Sequence, residues 1–242
     1  MKSITTIILS ILYLNSASQS DKKCIIGITF SPIQSYRTLK ASDDYGKAIV
    51  NSRNTSEVPI ASFSAGITGT YFVTNKIGLS TGLLYTQRGH GTKPIFLPDS
   101  INVTTGQFYY SSTNYWFNYK VNYFDIPIKV CYLFLDKKII SLHASAGIIN
   151  NIFLNQKTIE YKNQNGAVSQ TTGNLGKHTK SYSLSWVISA GIDFNIKKIK
   201  IRIEPSFDRF ILSANGDNIK TYYYNKSLSI GVYYILSPNN KK

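Results

Sequence analysis

The chain has 242 residues, a formal net charge of +15 and 43% hydrophobic residues, with a mean hydropathy of −0.12. That length holds one large β domain or two small ones. No segment reaches the ~18 consecutive apolar residues of a transmembrane helix. Abundant Tyr (18) and Phe (12) beside a single Met favour strands over helices.

Residues 1–20 begin with Lys2, continue through an apolar run from Ile4 to Leu14, and end in small polar residues. This predicts a secretory signal peptide cleaved between Ala17 and Ser20, because a run of about 11 residues is too short to cross a bilayer as a helix. Cys24 follows Asp21, Lys22 and Lys23 instead of small apolar residues, which excludes a lipoprotein site. Residues 21–242 show no linker or composition shift and read as one β domain.

Eight alternating runs follow, at 24–33, 58–73, 77–89, 118–135, 139–154, 181–196, 199–213 and 222–236. Short turns (Thr74–Lys76, Asp136–Lys138 and Lys197–Lys198) alternate with longer connections. That is the order of an antiparallel up-and-down barrel with one plain and one elaborated end. Face assignment can be checked against the turns, since paired residues in a hairpin point the same way. The polar faces are even-numbered in the second and third runs, odd-numbered in the fourth, fifth and sixth, and even-numbered in the seventh. Strands of the same parity require an odd turn and strands of opposite parity an even one. Turns of three, three and two residues meet that rule. The two cysteines, Cys24 and Cys131, fall on faces of opposite sense and are expected to be free thiols.

The faces then decide which side is wet. One face carries Ile140, Leu142, Ile188, Ile192, Ile201, Ile203, Ile230 and Val232 and almost no charge. The other carries Arg88, Asp125, Lys129, His143, Asp193, Lys200, Arg202, Glu204 and Asp208. A soluble barrel would expose the first set to water and aggregate, whereas a membrane barrel turns it to lipid. The expected fold is all-β: an eight-stranded antiparallel up-and-down transmembrane β-barrel with short periplasmic turns and long extracellular loops. It would lie in the bilayer of the outer membrane as a monomer. The lysine excess sits in turns, loops and tails, where it can meet lipid phosphates. No basic stripe interleaved with aromatics points to nucleic acid.

Two segments on the third and fourth runs, "GLSTGLLYTQRG" and "YFDIPIKVCYLF", carry a resemblance. Gly82, Tyr85 and Gly89, then Tyr123, Asp125, Ile126 and Pro127, match the paired signature of the PorT-type outer-membrane β-barrel family of Bacteroidetes. Asp125 stands where that family often has Glu. The resemblance implies the barrel and, for one member, an association with protein secretion and gliding. It implies no catalytic residues.

No catalytic constellation is visible. His143 faces the interior, His90 follows Arg88 and Gly89 at the rim, and His178 lies in a loop between Lys177 and Lys180. "GNLGKHTK" (173–180) lacks the spacing of a phosphate loop and no helix follows it. No cofactor is expected. The inward charges are four cations (Arg88, Lys129, Lys200 and Arg202) and four anions (Asp125, Asp193, Glu204 and Asp208) in a lumen only wide enough for side chains. They must pair, with Asp193 opposite Arg202 and Asp125 near Arg88. The sequence therefore predicts a plugged, non-enzymatic barrel with a structural or interaction role, served by envelope or secretion partners at its loops or turns. The alternative is a barrel enzyme or a surface ligand-binding barrel.

Overall fold

The structure, a computed structural model, describes residues 24–41, 43–102, 105–164, 167–174 and 179–236. The expected signal peptide and His178 lie outside these residues. Eleven strands and one helix occur among the described residues: β1 Cys24–Ala41, α1 Asp44–Ser56, β2 Glu57–Val58, β3 Ile60–Phe72, β4 Ile77–Thr92 and β5 Ile95–Asn102. They continue with β6 Gln107–Asp136, β7 Ile140–Gln164, β8 Ala167–Asn174, β9 Tyr182–Ile196, β10 Ile199–Phe210 and β11 Ile219–Leu236. Eight of the strands close a ring in the order β1, β3, β4, β6, β7, β9, β10 and β11, all antiparallel, with β11 returning to β1. No helix among the described residues is long and apolar enough to cross a membrane; the crossing elements are strands.

Closure fixes the geometry. Following paired residues round the ring from Tyr36 leads through Tyr224, Arg209, Trp186, Ile148, Ile128, Thr81 and Gly69 to Ile26, ten residues down β1 from the start. A stagger of that size over eight strands tilts them by roughly 40° and leaves an interior that side chains can fill. The outward face carries an apolar belt that includes Ile28 (66% exposed), Ile67 (56%), Ile188 (50%) and Val232 (49%). Such exposure is costly in water and favourable in hydrocarbon. Aromatic rings close the belt toward the loop end. Phe30, Phe63 and Tyr85 are in sequential contact on one side, and Tyr36, Tyr224, Phe207 and Trp186 on the other.

The parity rule describes the turns well. Lys197 and Lys198 join β9 to β10 with Ile196 opposite Ile199, and Lys197 takes the left-handed conformation (φ 54°) that a two-residue hairpin needs. At the β6–β7 turn the faces agree but the connection is shifted by one residue, from the expected Asp136–Lys138 to 137–139. Asp136 pairs with Ser141 and a bulge interrupts the ladder beyond Leu133, while Cys131 lies opposite Ser145. Cys24 and Cys131 are both free, the first half-buried and the second buried.

The structure corrects the strand ends. β6 and β7 run to 30 and 25 residues, well beyond the alternating segments at 118–135 and 139–154. β5 and β8 pair with these extensions, so a four-stranded sheet in the order β5, β6, β7, β8 stands beyond the membrane belt. β10 ends at Phe210, short of the expected Ser213. The β1–β3 connection contains α1, capped by Asp43, whose Oδ1 accepts a hydrogen bond from the Gly46 N–H at 2.7 Å.

Candidate functional site: the lumen and the loop-end cavity

Inward side chains form two ion-pair clusters. Nearer the short-turn end, β10 supplies Lys200, Arg202 and Glu204 at alternate positions and β9 supplies Asp193. Asp193 lies directly opposite Arg202. The guanidinium donates from Nε to Oδ1 at 2.7 Å and from its terminal nitrogen to Oδ2 at 3.0 Å. Lys200 Nζ adds a bond to the same oxygen at 3.0 Å. Glu204 accepts from Lys129 Nζ at 2.7 Å and lies 3.2 Å from His143 Nε2. The Nδ1 of that imidazole is 3.6 Å from Asp193 and makes no hydrogen bond, so the fully buried His143 lies between the two carboxylates and bonds only Glu204. The Arg202 guanidinium lies over the Tyr233 ring, 4.9 Å from its centroid.

A second cluster lies toward the loop end. Arg88, 1% exposed, binds Asp125 at 2.9 Å and Asp208 at 3.0 Å. Asn151 donates to Asp125 at 2.7 Å, and Asn225 donates to both oxygens of Asp208. The rings of Tyr123 and Phe210 flank the guanidinium, with centroids 5.6 and 5.1 Å away. Hydrophobic layers bracket the charges: Val121, Tyr123, Phe210, Ala214 and Tyr223 on the loop side, and Ile25, Phe72, Leu133 and Tyr233 on the turn side. Between the clusters is a void of about 80 Å³, room for a few waters at most.

Every expected lumen residue therefore faces inward; the eight charged ones have ionic partners, and His143 is within hydrogen-bonding distance of Glu204. Arg88, Asp125 and Asp208 form one group; Lys129, His143, Asp193, Lys200, Arg202 and Glu204 form the other. The expected Asp193–Arg202 and Asp125–Arg88 pairs are both present. No group of three His, Cys, Asp or Glu able to hold a metal exists among the described residues.

The motif residues converge on the β4–β6 seam. Thr81 pairs with Ile128 and Leu84 with Asp125, which sets Gly82 opposite Pro127. The ladder is interrupted there, where proline has no N–H to give. A Cβ on Gly82 would stand 2.4 Å from the Ile67 carbonyl oxygen. On Gly89 it would stand 2.0 Å from that of Tyr119. Tyr85 joins the outer aromatic belt and Ile126 is half-buried on the outer wall. Tyr123 and Asp125 hold Arg88.

Beyond these clusters the loop end holds a cavity of about 350 Å³, which pattern reading did not foresee. α1 and β2 build one wall, supplying Arg53 and Glu57. β1 contributes Arg37, β4 His90, and β6 and β7 contribute Lys120 and Lys157. Arg37 forms a two-pronged ion pair with the buried Glu57. His90 stacks on Tyr119 with centroids 4.8 Å apart. Burial, followed by the positive charges of Arg37 and Arg53, holds its imidazole well below the usual histidine range. Glu57 and Arg37 lie outside any alternating run, and only a contact across the barrel end joins them.

This architecture defines an integral outer-membrane β-barrel. Residues 17–214 match the profile of the outer membrane protein beta-barrel domain, and the chain belongs to that family. No curated protein matches the sequence. Among solved structures it is similar to OprG from Pseudomonas aeruginosa, with 11% identity, 89% of this chain and 96% of that one covered, and a TM-score of 0.49. It is also similar to Neisserial surface protein A, with 10% identity, 88% and 97% covered, and a TM-score of 0.40. The attachment invasion locus protein Ail of Yersinia pestis has 13% identity, 89% and 100% covered, and a TM-score of 0.34.

Proposed function

We propose that this protein is a non-conducting, non-enzymatic barrel of the PorT type with a structural or interaction role in the envelope, as an accessory of secretion or assembly. It is exported by its N-terminal signal peptide and acts as a monomer without a cofactor. The observation that carries this reading is the closed interior. Two ion-pair clusters and two hydrophobic layers fill the lumen, while the chain invests its remaining strands in a sheet outside the membrane.

That sheet is the surface on which an interaction role would rest. Both of its outer strands, β5 and β8, are without a further strand partner among the described residues, and β8 has an uncharged sequence, "AVSQTTGN", exposed over Ala167–Gly173. An unguarded edge is a template for strand addition. A photocrosslinker replacing Val168 in β8 tests this in native membranes. Discrete protein adducts at Val168, absent from a control at Ile188 on the lipid face, are the expected outcome. Identical adduct patterns at the two positions would argue against an interacting edge.

A further inference from the structure

The outer wall is cationic above its aromatic girdle. Lys40 pairs directly with Lys220 across the β1–β11 ladder, and Lys120 with Lys157 across β6–β7. All four side chains point outward. Leu39 and Thr221, next in sequence to the first pair, are buried in the interior. Lys120 borders the loop-end cavity along its strand, but it lies between the inward Tyr119 and Val121, so alternation turns its side chain and that of Lys157 to the opposite face. Like charges directly opposite each other destabilise a sheet, and this barrel keeps two such rungs. No Asp or Glu occupies an outward position on the eight ring strands among the described residues. Lys40 Nζ rests instead over the Tyr222 ring, 5.6 Å from its centroid.

The two pairs share a level. Lys40 and Lys220 stand four residues beyond the girdle residues Tyr36 and Tyr224, and Lys120 four beyond Phe124, the ladder partner of Tyr85. Four residues are about 13 Å of strand, or about 10 Å of height at the tilt of this barrel. Uncharged hydrogen-bonding groups fill the rung between. Gln87, Asn122 and Asn155 are joined side chain to side chain at 3.2 and 2.6 Å, and Thr38 lies opposite Tyr222. From the bilayer outward the wall is thus apolar belt, aromatic ring, neutral polar rung and paired cations.

We propose that this collar docks the phosphorylated saccharide headgroup of an outer-leaflet glycolipid, whose acyl chains lie along the belt below. The order of the rungs selects that occupant. A glycerophospholipid carries its phosphate next to the acyl esters, at the height of the aromatic ring, and leaves the lysine pairs without a counter-charge. A phosphate on a saccharide stands one sugar ring further out, with the sugar's own polar groups facing the neutral rung. Placed between two paired lysines, it converts their repulsion into charge-assisted hydrogen bonds. The inference rests on the loop end facing outward, and it is independent of the β8 edge and of whether the lumen conducts.

The test uses the full chain folded in zwitterionic micelles and offered an equimolar mixture of lipid A, dephosphorylated lipid A and phosphatidylglycerol. Retained lipid is counted by native mass spectrometry. Lipid A is expected on the parent in about tenfold excess over either competitor, as two lysines near one phosphate provide. Lys40→Met/Lys220→Met and Lys120→Met/Lys157→Met should each retain several-fold less of it, and Lys138→Met, at the turn end, should match the parent. Heat-modifiable gel migration verifies folding, which removal of a like-charge pair favours. Equal retention of phosphatidylglycerol would overturn the saccharide assignment, and equal retention of dephosphorylated lipid A would overturn the role of the lysines. Undiminished lipid A on both folded double variants, or an equal loss in Lys138→Met, would overturn the site.

Discussion

Asp193 accepts from both Arg202 and Lys200 inside a wall whose outer face meets lipid, and its side chain is fully buried. Removing one member of such a group leaves the others charged and unpaired, which typically costs about 3–5 kcal/mol. Asp193→Ala should therefore be destabilised by that amount in urea titrations of the barrel in lipid vesicles, and a variant as stable as the parent would refute the pairing. The outer face obeys a different rule. Ile188 and Ile203 are half-exposed on strands whose partners on the same face are also apolar. An arginine at either should cost roughly 2–4 kcal/mol near the midplane. The same change at Ser185, which is buried and donates to Asn151 at 2.5 Å, should instead fail through lack of space, and a smaller Ser185→Ala substitution should be tolerated far better than Ile188→Arg in the same folding assay.

Among the elements, legibility in sequence follows the solvent. Where a strand has lipid on one side and a polar lumen on the other, alternation is obligatory. The faces of Ser64, Thr86, Asp125, His143, Asp193 and Arg202 can therefore be read directly from parity. Beyond the belt both faces meet water and the constraint lapses. The continuation of β6 through Thr113 and Tyr119, and the pairing of β8 with β7, leave no periodic trace. Helix α1 is equally quiet because it buries only Gly46 and Val50. The loop-end cavity inherits this silence, since its walls come from those elements. Its stability has a pH signature. The folded pKa of His90 lies well below its ordinary value, so the unfolded chain takes up the proton first as pH falls. The contribution of this buried neutral ring is complete above about pH 6.5 and is lost as pH drops through the folded value. Hydrogen-exchange protection at the upper end of β4 and at β2, corrected for the slower intrinsic exchange in acid, should fall on acidification below that point, and His90→Gln should flatten the dependence. Equal protection factors at pH 7.5 and pH 5 would contradict the assignment.

For the whole molecule, charge is partitioned by compartment. The lumen balances four cations against four anions, so the net +15 is carried by turns, loops and tails. Lys137, Lys138, Lys197 and Lys200 line a separate cavity of about 390 Å³ at the turn end. Two open mouths thus face each other across an interior blocked by salt bridges and by the Tyr123 and Tyr233 rings. An eight-stranded wall is too narrow for a water-filled path around such a core. Single-channel recording of the purified barrel in planar bilayers tests this closure most directly. The structure predicts a baseline without steady open-channel current across the accessible voltage range, in the parent and at the pH where both ion-pair clusters are intact. A large, steady conductance from the folded parent would contradict it.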